Sequence, residues 1–225
     1  MKRYWDDETV YSQPGVAELK EKAKQSVRRA GSKAKMYEPV KCRTKRGDIC
    51  ESWWGRAWCH NLEKYADYAS RLDRGKSYVR SGTIIDLQIS DGRVEAKVQG
   101  RRRTPYKVEI RIGRLSEENC QRIIGRCTER IESLEKLVGG EFPEELKDIF
   151  TEEGGLFPTP KEISFSCSCP DWAMMCKHVA AVMYGIGVRF DENPFYFFTQ
   201  KTGHKRFLPL IRSGKAWSHT AVPGS

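Results

Sequence analysis

Three features that would point to other classes of protein are missing from this sequence. No apolar run approaches the roughly 18 residues of a membrane-spanning helix. The first eight residues lack the apolar stretch of a secretion signal. The phosphate-binding pattern Gly-x-x-x-x-Gly-Lys-Ser/Thr is also absent, because Ser70 stands where Gly75-Lys76-Ser77 would need a glycine. We therefore expect a cytoplasmic protein without a membrane span that does not itself hydrolyse ATP.

Cysteine is too sparse for a secreted disulfide framework. The chain of 225 residues has eight cysteines, and three of them crowd into one short segment. The remaining cysteines lie scattered along the chain, which favours a reducing, intracellular compartment. They are Cys42, Cys50, Cys59, Cys120 and Cys127.

The crowded segment has the composition of a metal site. Cys167, Cys169, Cys176 and His178 supply three thiols and one imidazole within twelve residues. Zinc in structural sites takes four such ligands in a tetrahedron, which leaves no position for a catalytic water. On a strand, the first two cysteines would point to the same side. Residues two apart on a helix lie on different faces, so one of the second pair must precede the helix. We predict one structural Zn²⁺ at a helix N-terminus.

The same spacing resembles that of a known family. The segment 165–180 resembles the SWIM zinc finger, which has the pattern Cys-x-Cys, a variable gap, and Cys-x-His. The segments 53–58, 75–82 and 98–106 are similar to the N-terminal half of prokaryotic SWIM-finger proteins. The resemblance implies a hairpin that carries the first two ligands and a helix that carries the last two. It also implies binding of DNA or protein, and association with a Swi/Snf-type helicase-like ATPase.

Charge is unevenly distributed along the chain. Forty Lys and Arg against thirty Asp and Glu give a net charge of +10. Residues 71–114 hold twelve basic and five acidic side chains, whereas residues 115–153 hold five and eleven. A basic excess favours a polyanionic partner, although local ion pairing that serves solubility is the alternative.

The densest basic run is Arg101-Arg102-Arg103. Arginine forks bind phosphate through two hydrogen bonds, and a loop tip can present them to a nucleic-acid backbone. An ordinary solvated loop is the competing interpretation. The expected contacts to DNA or RNA are Lys97, Arg101, Arg102, Arg103, Lys107 and Lys177.

Hydrophobic periodicity predicts an α+β fold. We expect a helix over 53–72, a hairpin over 83–99 that turns at Asp91-Gly92, and a strand over 106–112. A helix from Ser116 to about Val138, with Ile131 and Leu134 on its apolar stripe, should cover this three-stranded antiparallel sheet, and a short acidic helix should follow from Pro143. A small zinc-stabilised hairpin-helix (SWIM) module completes the fold.

Four regions follow from these patterns. The expected divisions are a loosely packed basic arm over 1–52, an α+β domain over 53–153, the zinc-finger module over 154–198 and a tail over 199–225.

Several functions remain open at this point. The preferred one is a non-catalytic nucleic-acid-binding or adaptor subunit, and the alternatives are a pure protein-interaction module and a metal-dependent nuclease. A nuclease would need clustered carboxylates, but the candidates Asp86 and Glu95 fall on the solvated face of the predicted hairpin, beside Asp91. A second metal site from Cys42, Cys50, Cys59 and His60 is conceivable, although the spacing fits no known pattern.

Overall fold

The computed structural model describes residues 15–128, 147–193, 196–197 and 201. In this part of the chain, an antiparallel sheet of four strands packs against helices, which confirms the α+β class. Among the helices in these ranges, none combines the length and the hydrophobicity that a bilayer-spanning segment needs. The helices are α1 (Val16–Ala30), a 3-10 helix (Gly31–Met36), α2 (Trp53–Glu63), α3 (Ala69–Arg80), α4 (Glu117–Thr128), α5 (Asp148–Thr151) and α6 (Lys177–Glu192). The strands are β1 (Ile84–Ser90), β2 (Arg93–Val98), β3 (Tyr106–Ile112) and β4 (Ile163–Cys167).

The sheet contains the predicted hairpin and third strand. The order is β1-β2-β3-β4, with every neighbouring pair antiparallel. Gly92 provides the positive φ of the hairpin turn, at 68°. The predicted inward side chains of β2 and β3 are all buried: Val94, Ala96, Val98, Tyr106, Val108, Ile110 and Ile112.

The expectation of three strands is wrong, because β4 adds a fourth. Ile163 pairs with Ile112, and Cys167 pairs with Val108. Without β4, one edge of β3 would carry unpaired backbone groups. The strand that ends at Cys167, the first predicted metal ligand, is therefore hydrogen-bonded directly to the main sheet.

Helix α6 lies at the centre of the core. Most of its residues are buried, and it packs across the sheet while also touching α2 and α3. A Cβ added at Gly75 of α3 would lie 2.8 Å from the Cβ of Ala180, so these two helices cross at very short range. Buried residues from α1, α2, the sheet and α6 belong to one continuous hydrophobic cluster.

The helix predicted over 53–72 is in fact two helices. Ser52 caps α2 by accepting a hydrogen bond from the N–H of Gly55, and α2 ends at Glu63. The chain then turns, and the carboxylate of Asp67 accepts a hydrogen bond from the N–H of Met174 (2.8 Å). This break lets both α2 and α3 pack against α6.

The described part of the expected N-terminal arm packs on the body. Leu19, Ala23 and Ser26 share one buried face of α1, which contacts α3 and β1. The backbone N–H of Val40 donates to the carbonyl of Ile84, so the following segment covers the outer edge of β1. Small residues at helical spacing thus dock a helix that has few large apolar side chains.

Some predicted features lie outside the described residues. The helix predicted from Ser116 begins at Glu117 and is described as far as Thr128. Residues Ile131, Leu134 and Val138 of its predicted stripe are not among those described, nor is Pro143. The same holds for residues 1–14 of the arm and for the tail apart from Lys201.

Candidate metal centre and adjoining basic loop

The four predicted ligands come together at the junction of β4 and α6. Their sulfur and nitrogen ligand atoms all lie within 4.8 Å of one another. Cys167 ends β4, and Cys169 follows it in the connecting loop. Cys176 is the N-cap residue of α6 with extended backbone, and His178 lies in the first turn. The prediction that one ligand of the second pair precedes the helix is confirmed.

The distances fit a single metal ion. Nδ1 of His178 lies 3.9 Å from Sγ of Cys167 and 3.9 Å from Sγ of Cys176. Metal–ligand bonds of about 2.3 Å for sulfur and about 2.0 Å for nitrogen would give S···N separations of about 3.5 Å in a tetrahedron. These two S···N pairs need a contraction of only a few tenths of an ångström, and the four ligand atoms together are close enough to hold one metal ion.

The electrostatics of the cluster favour one thiolate at the helix N-terminus. A hydrogen bond from Cys167, together with His178 and the N–H of Val179, lowers the pKa of Cys176 to about 4 despite its burial. The hydrogen bond to Cys176 and burial raise the pKa of Cys167, and burial raises that of Cys169. Burial also lowers the pKa of His178, which favours the neutral imidazole that binds metal.

Two aromatic rings fix the imidazole of His178. Tyr106 stacks on it with ring centroids 4.2 Å apart, and Tyr78 meets it edge-on at 5.4 Å. Nε2 is buried and has no hydrogen-bond partner among the described residues. A Cβ at Gly100 would lie 3.0 Å from Nε2, so the absence of a side chain there gives the ring its space.

The loop between the ligand pairs is tied to the α2–α3 connection. Arg71 pairs with Asp171 at 3.3 Å, and Asp67 holds Met174 as described above. The side chain of Trp172 is nevertheless 83% exposed and that of Met174 is 70% exposed. Sequence reasoning missed Asp67 and Arg71, because nothing in their spacing signals a contact about one hundred residues away.

The arginine loop adjoins the metal centre. Arg101, Arg102 and Arg103 are all exposed in the β2–β3 connection. The guanidinium of Arg102 lies 5.4 Å from the ring centroid of Tyr106, whose ring stacks on His178. The basic loop and the metal ligands thus share one aromatic contact, which the sequence did not reveal.

The three predicted lysine contacts have different environments. Lys107 is exposed and pairs across the strands with Lys97. Nζ of Lys97 lies 2.8 Å from the carboxylate of Asp86 and 4.0 Å from the ring centroid of Tyr37. Burial is the largest single effect and lowers the pKa of Lys97, but the hydrogen bond and charge of Asp86, together with Tyr37, outweigh it and raise the pKa. Lys177 is half-buried at the start of α6.

The carboxylates considered for a nuclease are held in separate contacts. Asp86 was expected on a solvated face, but it is only 4% exposed because residues 36–38 lie over it. Its carboxylate accepts hydrogen bonds from Lys97 and from the N–H of Glu38. Asp91 pairs with Arg114, and Glu95 pairs with Arg93.

The second metal cluster considered from the sequence does not assemble. Sγ of Cys50 and Sγ of Cys59 lie 3.5 Å apart, whereas Cys42 contacts Thr44, and His60 is exposed. Within the described ranges, the group formed by Cys167, Cys169, Cys176 and His178 is the one set of three or more residues placed to share a metal ion.

Fold and site together define an α+β protein with a Cys₃His centre that can hold one metal ion. No protein-family model and no solved structure matches the chain. Over 188 residues the chain is 40% identical to the uncharacterized protein Rv2102 of Mycobacterium tuberculosis, and the match covers 83% of this chain and 67% of that protein. The chain therefore belongs to the same protein family as Rv2102.

Proposed function

We propose that this protein is a non-catalytic, zinc-stabilised nucleic-acid-binding or adaptor subunit. The observation that carries the proposal is the contact chain from the ligand His178 through Tyr106 to Arg102. Through it, a metal ion that orders the β4–α6 junction would also order one side of the arginine loop. An ordered loop loses less conformational entropy when it binds a phosphate backbone.

Zinc is the proposed metal, and its role is structural. Three thiols and one imidazole form one of the usual ligand sets of structural zinc. All four positions of a tetrahedron would be filled by the protein, so the ion would activate no water. Zinc would instead join the end of β4 to the start of α6 across the loop 168–175.

The partners are phosphate backbone and a larger protein. Exposed arginines support DNA or RNA as the first partner, through contacts that read no base sequence. The Cys-x-Cys and Cys-x-His spacing, which resembles the SWIM finger, supports a Swi/Snf-type ATPase as the second.

A protein-interaction role without nucleic-acid binding is the second candidate, and one observation favours it. Trp172, Met174 and Tyr68 expose large apolar surface beside the metal centre, and the rings of Trp172 and Tyr68 meet edge-on at 6.1 Å. Exposed tryptophan and tyrosine are enriched among residues that dominate protein–protein binding energy.

Fluorescence anisotropy with labelled DNA over a salt series tests the proposal. The variant carries Arg101→Gln, Arg102→Gln and Arg103→Gln (the loop triple). The control carries Lys33→Gln, Lys35→Gln and Lys45→Gln (the control triple), which removes the same charge from exposed positions elsewhere. The loop triple should lose three phosphate contacts. The slope of log affinity against log salt concentration for duplex DNA should therefore become shallower by about 2 to 3 units.

The two triples separate specific contacts from net charge. We expect the loop triple to bind clearly more weakly than the control triple. If both triples weaken binding equally, the arginine loop contributes only through net charge and makes no specific phosphate contact. Absence of binding by the unmodified protein at low salt would leave the protein-interaction role as the function.

A further inference from the structure

A groove beside α1 is lined by cations and by no acidic side chain. It lies between α1, residues 39–42 and the end of α3, and its volume is about 550 Å³. Its described lining contains five Lys or Arg residues and no Asp or Glu. The five cations are Lys20, Lys24, Arg28, Lys41 and Arg80.

Helix α1 separates this groove from the arginine loop. With 3.6 residues per turn, Lys20, Lys24 and Arg28 follow one flank of the helix at intervals of about 6 Å. Lys22 and Arg29 lie on the other flank, beyond the buried face that docks α1 on the body. Both donate hydrogen bonds to backbone carbonyls of the arginine loop, at 3.3 Å and 2.7 Å. The groove is thus a second basic surface.

The positive charge of the groove is largely uncompensated. Lys20, Arg28 and Lys41 form no ion pair with any described residue, and Lys24 reaches Glu21 only at 4.0 Å. One Arg80 nitrogen donates to the carbonyl of Gly47, but its Nε is buried without a partner in the described part of the chain. Like charges four residues apart on a helix repel each other. A bound polyanion would relieve this repulsion.

The floor of the groove is apolar. Ala23, Val40 and Val79 are buried there, and Val27 is half-buried. A duplex turns its bases inward and presents phosphate and sugar to such a surface. A single strand can place the face of a base against apolar side chains while its phosphates meet the surrounding cations.

We propose that this groove binds single-stranded nucleic acid. The phosphates contact the five cations, and at least one base lies on the apolar floor. The inference rests on the proposed nucleic-acid-binding function and adds a second surface and a strand preference to it. On this account, a single strand engages both flanks of α1, at the groove and at the arginine loop.

The test replaces the three groove cations of α1. The groove triple carries Lys20→Gln, Lys24→Gln and Arg28→Gln, and it is compared with the loop triple and the control triple. All three positions are exposed, and glutamine is a good helix former, so the fold should be retained. Far-UV circular dichroism and thermal unfolding check this. Anisotropy is measured with labelled single-stranded DNA and with the matching duplex.

We expect the groove triple to bind single-stranded DNA about tenfold more weakly or worse. The slope of log affinity against log salt concentration should also fall by about 2 units, because each lost phosphate contact of a single strand removes roughly 0.7. The duplex should bind more weakly than the single strand and respond little to the groove triple. A groove triple that behaves like the control triple would overturn the inference. So would a duplex that depends on the groove as strongly as the single strand does.

The assay also separates failure of this inference from failure of the proposed function. If binding weakens in the loop triple but not in the groove triple, the groove inference is wrong and the proposed nucleic-acid-binding function stands. If the unmodified protein binds neither single-stranded nor duplex DNA at low salt, the proposed nucleic-acid-binding function is wrong, and so is the groove inference.

Discussion

At the scale of single residues, Tyr106 connects the candidate metal centre to the arginine loop. Its ring stacks on the imidazole of His178. The same ring also forms a cation–π contact with the guanidinium of Arg102. Residues that orient a metal ligand change metal affinity by about 10–100-fold when they are removed. We therefore expect Tyr106 to influence metal binding at His178 as well as the position of the arginine loop.

Replacement of Tyr106 tests this link. Tyr106→Ala should weaken zinc binding by about tenfold, because the imidazole loses the ring that holds its orientation. Tyr106→Phe keeps the stack and should bind zinc like the unmodified protein. Competition with a zinc chelator of known affinity measures both. If the alanine and phenylalanine variants retain the same affinity, the ring has no role in ordering the ligand.

Several residues at this scale could be predicted from the sequence, and others could not. The four ligands follow from ligand chemistry and spacing alone. Tyr106 and Asp86 were placed on the correct strands, but their partners come from distant segments, the start of α6 and residues 36–38. A strand pattern specifies which side a residue faces, and it carries no information about what covers that side.

At the scale of elements, the crossing of α3 and α6 requires glycine at position 75. A Cβ there would lie 2.8 Å from the Cβ of Ala180 and 3.0 Å from backbone atoms of Ala180 and Ala181. Backbone atoms within a buried helix cannot move aside without disturbing its other contacts. Because His178 lies at the start of the same helix, this crossing also sets the position of a predicted metal ligand.

Gly75→Ala should lower the free energy of unfolding by roughly 1–3 kcal/mol, through overpacking. Gly125→Ala in α4 is the matched control, since no atom of the described residues, apart from its chain neighbours and the backbone of its own helix, would lie within 4 Å of its new Cβ. That change should be neutral or stabilising by up to about 1 kcal/mol, because alanine favours helix. Urea unfolding in the presence of zinc measures both. Equal stability of the two variants would show that the helices can separate at no cost.

Element prediction succeeded where the pattern was local. Alternation and Asp91-Gly92 identified the hairpin, and Ser52 correctly marked the start of α2. The resemblance implied a hairpin that carries the first two ligands, but the pairing of β4 with β3 spans more than fifty residues and could not be read from the sequence of β4 itself. The end of α2 was missed because apolar spacing continues beyond it to Tyr65.

At the scale of the whole molecule, the metal centre belongs to the main body of the described fold. β4 extends the sheet, and α6 forms the centre of the hydrophobic cluster. The ligands are therefore brought together by two elements that have extensive contacts of their own. Two basic surfaces, the arginine loop and the α1 groove, lie on either side of α1, and the loop adjoins the metal centre.

Elemental analysis of the purified protein shows whether Cys167, Cys169, Cys176 and His178 hold one zinc ion. We expect one zinc per chain in the unmodified protein and almost none in Cys176→Ser or His178→Ala. Cys50→Ser is the matched control and should retain one zinc, since its nearest thiol neighbour Cys59 lies outside the metal group. Unchanged zinc content in the ligand variants, or loss of zinc in Cys50→Ser, would show that these four residues are not the zinc ligands.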